Sequence, residues 1–186
     1  MSQRLPVRKS DGDPRLVDLY SKGLTGPNGD PLNIFGVLGN HPDMLKRWLV
    51  FATHVLSKNS LSARDRELLI LRTGWNCRSV YEWGQHVVIA RQCDITDAEI
   101  EAVKVGSDDP SWSPHDRLLM TAADELHQHQ SLSDHTWNAL IDVYDTEQVL
   151  DLIATVGNYH LVAMFLNSTG VPLDAGVPDE PALRRD

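Results

Sequence analysis

SARDRELLILRTGWNCRSVYEWGQHVVIARQ, residues 62–92, is the stretch that indicates the fold of this chain. Ser62 is a favoured helix N-cap residue, and apolar residues recur after it at helical spacing as far as Trp75. A turn is expected near Asn76, and a second amphipathic helix is predicted from about 79 to 92. Because the connection is so short, the two helices should pack antiparallel.

Helical signals continue on both sides of this pair, and no run of residues alternates as a strand would. Residues 43–57 carry apolar side chains at helical spacing. We therefore predict an all-α protein, a helical bundle of about six to eight helices. Capping patterns place further helix starts at Thr96, Ser113, Ser133 and Asp145, the last helix running to about Thr169.

The chain divides by composition into three parts. Residues 1–31 are rich in Gly, Pro, Asp and Ser, with only a weak helical stretch, and are predicted to form an N-terminal arm outside the core. Residues 32–173 form the predicted helical domain, and residues 174–186 a C-terminal tail. One domain of this length can bury a sizeable core.

Composition and charge narrow the classes of partner. With 41% hydrophobic and 23% charged residues, the chain has an ordinary globular composition. Its net charge of -9 disfavours binding to nucleic acid. No apolar stretch approaches the roughly 20 residues needed to span a bilayer, and the first 15 residues are too polar for a signal peptide. We expect a cytoplasmic protein that acts on a small molecule, without nucleic acid or membrane.

The cysteines and histidines show no familiar metal-ligand pattern. Cys77 and Cys93 lie 16 positions apart, neither as a CxxC pair nor at a spacing typical of a metal site. His127 and His129, two positions apart on a helix, point to different faces and are interpreted as surface residues. We predict neither a disulfide framework nor a bound metal.

The chemically suggestive residues lie on the second helix of the quoted stretch. At 100° per residue, Ser79, Glu82 and His86 fall within about 60° of one another, beside the apolar stripe. A carboxylate and an imidazole four positions apart can share a hydrogen bond, which raises the basicity of the histidine. The same spacing also occurs on solvated helix faces, so spacing alone favours a structural pair.

A longer sequence pattern, which adds Glu67 on the preceding helix, supports a functional site. The string Glu67...Ser79-x-x-Glu82-x-x-x-His86 resembles the core of the carboxymuconolactone decarboxylase and alkylhydroperoxidase D superfamily, most closely over residues 61–103. In the peroxidase branch that core has a glutamate, a CxxC pair, and a histidine four positions after the second cysteine. Here Ser79 and Glu82 occupy the two cysteine positions, and neither can reduce a peroxide as a thiol pair does.

The resemblance to the decarboxylase branch implies a cofactor-free enzyme that moves protons next to a carbonyl group of a small organic acid or carbonyl compound. His86 is then the general acid/base, Glu82 its partner or a second acid/base, and Glu67 the outer member of a relay. Glu67 could instead form an ion pair with Arg64 or Lys58. Superfamily members are usually homo-oligomers, which implies a dimer, trimer or hexamer here.

Four further residues join Ser79 as second candidates for the site. Arg72 lies within an apolar stripe and needs an anion, either an internal partner such as Glu67 or a substrate carboxylate. His160 points into the core or an interface, where it and Tyr159 could line the same cleft. Cys77 is the fourth, and two alternatives remain open: a single-cysteine peroxidase that uses Cys77, and a non-catalytic helical binding module.

Overall fold

The central helix of the protein is the first one predicted from the quoted stretch. In a computed structural model that describes residues 2–184, this part of the chain forms nine α-helices and no β-strand. The all-α prediction is confirmed. The helices are α1 (Pro14–Tyr20), α2 (Asn33–Leu38), α3 (Pro42–Thr53), α4 (Ala63–Asn76), α5 (Val80–Gln92), α6 (Asp97–Val105), α7 (Pro114–His129), α8 (Asp134–Ile141) and α9 (Thr146–Thr169), with a π-helical turn at His54–Lys58 and a 3-10 turn at Pro181–Leu183.

The predicted helix starts coincide with side-chain caps. Ser62 accepts a hydrogen bond from the backbone N–H of Asp65 at the start of α4. Reciprocal capping boxes begin α6 at Thr96 and α9 at Asp145. Each cap satisfies backbone donors that the first turn of a helix leaves unpaired, and this is why short polar patterns mark these boundaries so well.

Helix α4 is buried on every side through its middle turns. It packs against α5, α6, α7 and α9, and residues 67–74 are all buried. One core cluster lies between α4 and the helices α5 to α9, and a second joins α1, α2 and α3 to α5 and α9. Glu67 and Arg72 therefore cannot reach bulk water and depend on partners inside the protein.

Arg72 finds its partner on α7. Its guanidinium binds both carboxylate oxygens of Asp124, at 2.6 and 3.0 Å, and donates to the carbonyl oxygens of Val103 and Lys104 at the end of α6. Arg72 therefore has an internal ion-pair partner, as one of the two expected alternatives had it, but this partner is Asp124 and not Glu67. Gly106 follows α6 with a φ of 91°, and a Cβ there would lie 2.3 Å from Nη2 of Arg72.

The N-terminal segment contributes to the core, so the prediction that residues 1–31 stay outside it is wrong. Asp13 caps α1, and this helix buries Leu16, Leu19 and Tyr20 in the second cluster. The hydroxyl of Tyr20 donates to the carbonyl oxygen of Arg8 at 2.9 Å. A seven-residue helix gives a weak periodic signal, and its burial depends on contacts with helices that lie far along the chain.

The C-terminal segment also packs on the helical domain. Asp174 accepts hydrogen bonds from the hydroxyl of Tyr81 and from the amide of Gln85, the latter at 2.6 Å. Further along, Leu183 is buried in the first core cluster. The segment after α9 thus covers α5 and holds two of its side chains in place.

Helix α9 has the bounds that its capping pattern predicts, and it is strongly apolar. By length and composition alone its 24 residues could cross a membrane, so the expectation that no stretch approaches that size is wrong. Half of its most apolar 18-residue window is buried inside the protein. Core helices pass the same test, and α9 packs here against α4, α5, α7 and α8.

Candidate functional site

An apolar cavity of about 230 Å³ lies where α5 and α9 face α2, α3 and the π-helical turn. Its walls are mostly aliphatic and aromatic, with Phe35, Trp48 and Leu56 on the side of α2, α3 and that turn. Cavities of this character typically hold small organic ligands and fix them with a few polar groups. The polar side chains in the walls are those of Ser57, Thr53, Tyr81, Glu82, Gln85, His86, Asn158 and Tyr159.

Glu67 and His86 form a buried hydrogen-bonded pair between α4 and α5. Nδ1 of His86 lies 2.7 Å from Oε2 of Glu67, and Nε of Arg66 donates to Oε1 of Glu67 at 3.1 Å. Burial alone would raise the pKa of Glu67, but the attraction of His86 and Arg66 outweighs it, and the pKa lies below the ordinary glutamate value. Glu67 is therefore an ionised acceptor at neutral pH.

The ionised Glu67 fixes which nitrogen of His86 carries the proton. A carboxylate can only accept, so Nδ1 of His86 must donate to it. His86 also lines the cavity, and in its neutral form the second ring nitrogen, Nε2, then holds the lone pair. This is the arrangement that a general base requires, with an orienting carboxylate behind the ring.

Glu82 is buried without a partner. The side chain is 2% exposed, and neither carboxyl oxygen has a hydrogen bond to any residue that the structure describes. Burial raises the pKa of Glu82 well above the ordinary value, so the protein interior favours the protonated form of its carboxyl group. The hydrogen bond expected between Glu82 and His86 is not formed, because the ring turns toward Glu67 on α4 instead.

A glycine makes room for the Glu82 carboxyl group. A Cβ built at Gly74 would lie 3.0 Å from Oε1 of Glu82, which is tighter than ordinary van der Waals contact. The carboxyl group of Glu82 therefore packs against the backbone of α4 at Gly74. Glu82 and His86 both line the cavity.

Helix α9 supplies the opposite wall. The ring of Tyr159 meets the His86 ring edge to face, with centroids 4.8 Å apart. Burial, with the nearby Glu67 and Glu82, raises the pKa of Tyr159 well above its ordinary value, so the phenol stays neutral. Nε1 of Trp48 donates to Oδ1 of Asn158 at 3.0 Å, which ties α3 to α9 across the cavity.

Three of the other second candidates, Ser79, His160 and Cys77, do not line this cavity. Ser79 is fully buried at the start of α5, and its hydroxyl has no hydrogen-bond partner among the described residues. His160 and Cys77 belong instead to a separate cluster with His127. His127 is half-buried and is not the surface residue that its spacing suggested. Three helices meet there, and local spacing along one of them carries no signal of such a meeting.

Arg66 is a residue of the site that its spacing along the chain did not indicate. This residue holds the second oxygen of Glu67 while being its direct neighbour along the chain. Neighbouring residues on a helix point about 100° apart, so helical geometry gave no reason to pair them. The contact is possible because the long Arg side chain can bend back along the helix surface.

Comparisons with known proteins agree with this fold. Residues 42–125 match the model of the Carboxymuconolactone decarboxylase family, and no curated protein matches the sequence. An uncharacterized peroxidase-related protein from Ralstonia eutropha JMP134, whose structure is described as an alkylhydroperoxidase AhpD core, superposes with a TM-score of 0.76 at 19% identity, covering 93% of each chain.

Two other solved structures are equally similar in fold. A peroxidase-related protein from Silicibacter sp. TM1040 has a TM-score of 0.81 at 13% identity, covering 94% of this chain and 93% of its own. The debrominase Bmp8, in complex with 2,3,4-tribromopyrrole, has a TM-score of 0.75 at 13% identity with the same coverage. The family match thus covers the part of the chain from α3 to most of α7, and these solved structures share the fold of the chain.

Proposed function

We propose that the protein is a cofactor-free enzyme that transfers protons at a carbon next to a carbonyl group, in an isomerase, lyase or lactone reaction. The observation that carries the proposal is the presence of two acid/base groups of opposite character on one apolar cavity. His86 is oriented by an ionised Glu67, and Glu82 is held protonated. Pairs of titratable groups pushed apart in this way are the mark of acid/base sites.

In the proposed reaction the two groups act on opposite ends of the substrate's carbonyl unit. Nε2 of His86 takes a proton from the carbon next to the carbonyl, while the carboxyl group of Glu82 gives its proton to the carbonyl oxygen. The product of this step is a neutral enol, with an imidazolium at His86 and a carboxylate at Glu82. Returning the proton to the same or another carbon, with Glu82 taking back its own, restores both groups.

Glu67 is a positioning residue in this proposal. It holds Nδ1–H of His86 and stabilises the imidazolium that forms when Nε2 takes a proton. Arg66 keeps Glu67 ionised by hydrogen bonding to its other oxygen. The pair resembles the carboxylate–histidine arrangement of other general bases, in which the carboxylate stays outside the reacting atoms.

The charges around the cavity favour an uncharged substrate. No Lys or Arg is among the described residues that line it, and burial favours the neutral form of its carboxyl group, that of Glu82. A substrate carboxylate would lose its hydration there without gaining a counter-ion. We therefore expect a ketone, aldehyde or lactone of a size that fits about 230 Å³, and not an organic acid bound through its carboxylate.

The test measures deuterium uptake, which needs only the first proton transfer. Wild-type protein is incubated in D2O with a panel of small uncharged cyclic ketones and lactones, and exchange next to the carbonyl is followed by proton NMR. We expect catalysed exchange that falls by at least about 100-fold in His86→Ala and in Glu82→Gln, the usual weight of one acid/base group. Carboxylate-bearing analogues should not exchange.

Two variants serve as matched controls. Glu101→Gln removes an exposed carboxylate far from the cavity, and Cys77→Ser removes the thiol that a single-cysteine peroxidase would use. Both should keep wild-type exchange. Full exchange in His86→Ala and Glu82→Gln, or no exchange with any compound of the panel, would contradict the proposal; peroxide reduction lost in Cys77→Ser would favour the peroxidase instead.

A further inference from the structure

Three helices bring Cys77, His127 and His160 together outside the cavity. Cys77 follows the last turn of α4, His127 lies in the last turn of α7, and His160 lies in the middle of α9. Nδ1 of His127 is 2.8 Å from Nε2 of His160 and 4.0 Å from Sγ of Cys77. All three donor atoms lie within 4.8 Å of one another, and each residue is half-buried.

A hydrogen bond behind the cluster turns the lone pair of His160 inward. Nδ1 of His160 donates to the carbonyl oxygen of Val156 at 2.8 Å, which leaves Nε2 as the unprotonated nitrogen of the neutral ring. A histidine held by a backbone carbonyl in this way is typical of metal ligands. Nδ1 of His127, only 2.8 Å away, faces the same point.

A carboxylate lies close to the cluster. Asp124 is near enough to act electrostatically on the His127 ring, and it is fixed by Arg72 and by the amide of Asn76. A cation bound by the two imidazoles would therefore lie near a negative charge.

We propose that Cys77, His127 and His160 form a Zn²⁺ site, with a water molecule or an external ligand in the fourth position. A tetrahedral Zn²⁺ places two nitrogen ligands about 3.3 Å apart and a nitrogen and a sulfur about 3.6 Å apart. The observed 2.8 and 4.0 Å differ from these values by about half an ångström, within reach of side-chain rotation. One thiolate and two imidazoles are ligands that Zn²⁺ binds well.

This site is separate from the proposed reaction. None of its three residues is among those that line the apolar cavity. Binding of the metal releases the thiol proton of Cys77 and displaces the proton shared by the two imidazoles. The half-buried position leaves the fourth coordination site accessible, as in zinc sites that bind an exchangeable ligand.

The experiment uses the full chain, stripped with a chelator and dialysed. Zn²⁺ is titrated in competition with a chromogenic chelator, and we expect one ion per chain. Cys77→Ser and His127→Ala should each weaken binding by more than about 100-fold, beyond the 10- to 100-fold that changes outside the ligand set cause. With Co²⁺ as a probe, the wild type should show a thiolate-to-metal charge-transfer band that Cys77→Ser lacks.

Matched controls separate this site from surface binding. Cys93→Ser removes the other thiol, and His129→Ala removes an exposed histidine two positions from His127. Both should bind Zn²⁺ as the wild type does, and circular dichroism checks that every variant is folded. Absence of stoichiometric binding, or equal binding by Cys77→Ser, His127→Ala and the wild type, would overturn the proposal.

Discussion

Replacing Glu82 by Gln should change how the stability of the protein depends on pH. Glu82 is buried without a partner, and its pKa in the folded protein lies well above that in the unfolded chain. Below the ordinary carboxyl range both states are protonated, and the group has no effect. Above that range the unfolded chain releases the proton while the folded protein keeps it, so the free energy of unfolding falls as pH rises.

The size of this effect follows from proton linkage. Each pH unit between the unfolded and folded pKa values lowers the free energy of unfolding by about 1.4 kcal/mol. From pH 5 to pH 7 the loss due to Glu82 amounts to about 2.7 kcal/mol if the folded group stays protonated throughout. Gln has nearly the same shape, is similarly buried and does not titrate, so the Glu82→Gln protein should lack this loss.

Urea denaturation of both proteins at pH 5, 6 and 7 measures the difference. The free-energy difference between variant and wild type should grow in favour of Glu82→Gln by about 1.4 kcal/mol per pH unit, with the m-value unchanged. Comparing the two proteins cancels the titration of all other groups. Parallel pH profiles would show that Glu82 ionises as easily in the folded protein as in the unfolded chain, and the assignment of a proton donor would fail.

Two further predictions concern Glu67, which holds the His86 ring, and Gly106, which lies beside Arg72. Glu67 has a lowered pKa, so its stabilising effect is present above the ordinary carboxyl pKa and is lost as pH falls. Glu67→Gln should therefore lower the free energy of unfolding by about 2 kcal/mol at pH 7. In urea denaturation, the difference between variant and wild type should disappear in acid. Gly106→Ala, with its positive φ and contact with Arg72, should lower stability by at least about 2 kcal/mol, whereas Gly157→Ala, in open space on α9, should raise it by up to about 1 kcal/mol. Equal thermal midpoints for the two alanine variants, or a Glu67→Gln cost independent of pH, would refute these expectations.

Local patterns were enough to find most of the helices, and with the family resemblance they singled out Glu82 and His86, which line the cavity, and Glu67, which lies 2.7 Å from the His86 ring. An N-cap such as Ser62 bonds to the backbone within one turn, and the helical period of apolar residues in α4 and α5 can be recognised from consecutive residues. Glu67 and His86 could be placed on facing helices because a short turn joins them. The same reasoning could not tell that His86 turns toward Glu67 and away from Glu82, since this depends on rotamers chosen by packing.

Contacts between residues that lie far apart in the chain could not be predicted from the sequence. Asp124 lies 52 positions from Arg72, and His160 lies 33 positions from His127. Nothing in the spacing of such residues distinguishes a partner from a bystander. The burial of α1 was missed for a related reason: seven residues cannot form a stable helix alone, so the helix exists only because the rest of the fold covers it.

The contacts of Arg72 have a consequence for how related chains can vary. One guanidinium binds Asp124 on α7 and the last carbonyls of α6, and it occupies the space where any side chain at position 106 would begin. A Lys has one ammonium group and cannot serve both helices at once. Positions 72 and 124 should therefore change together in related chains. A relative that keeps the arginine should also keep a glycine at position 106, where the positive φ already disfavours a side chain.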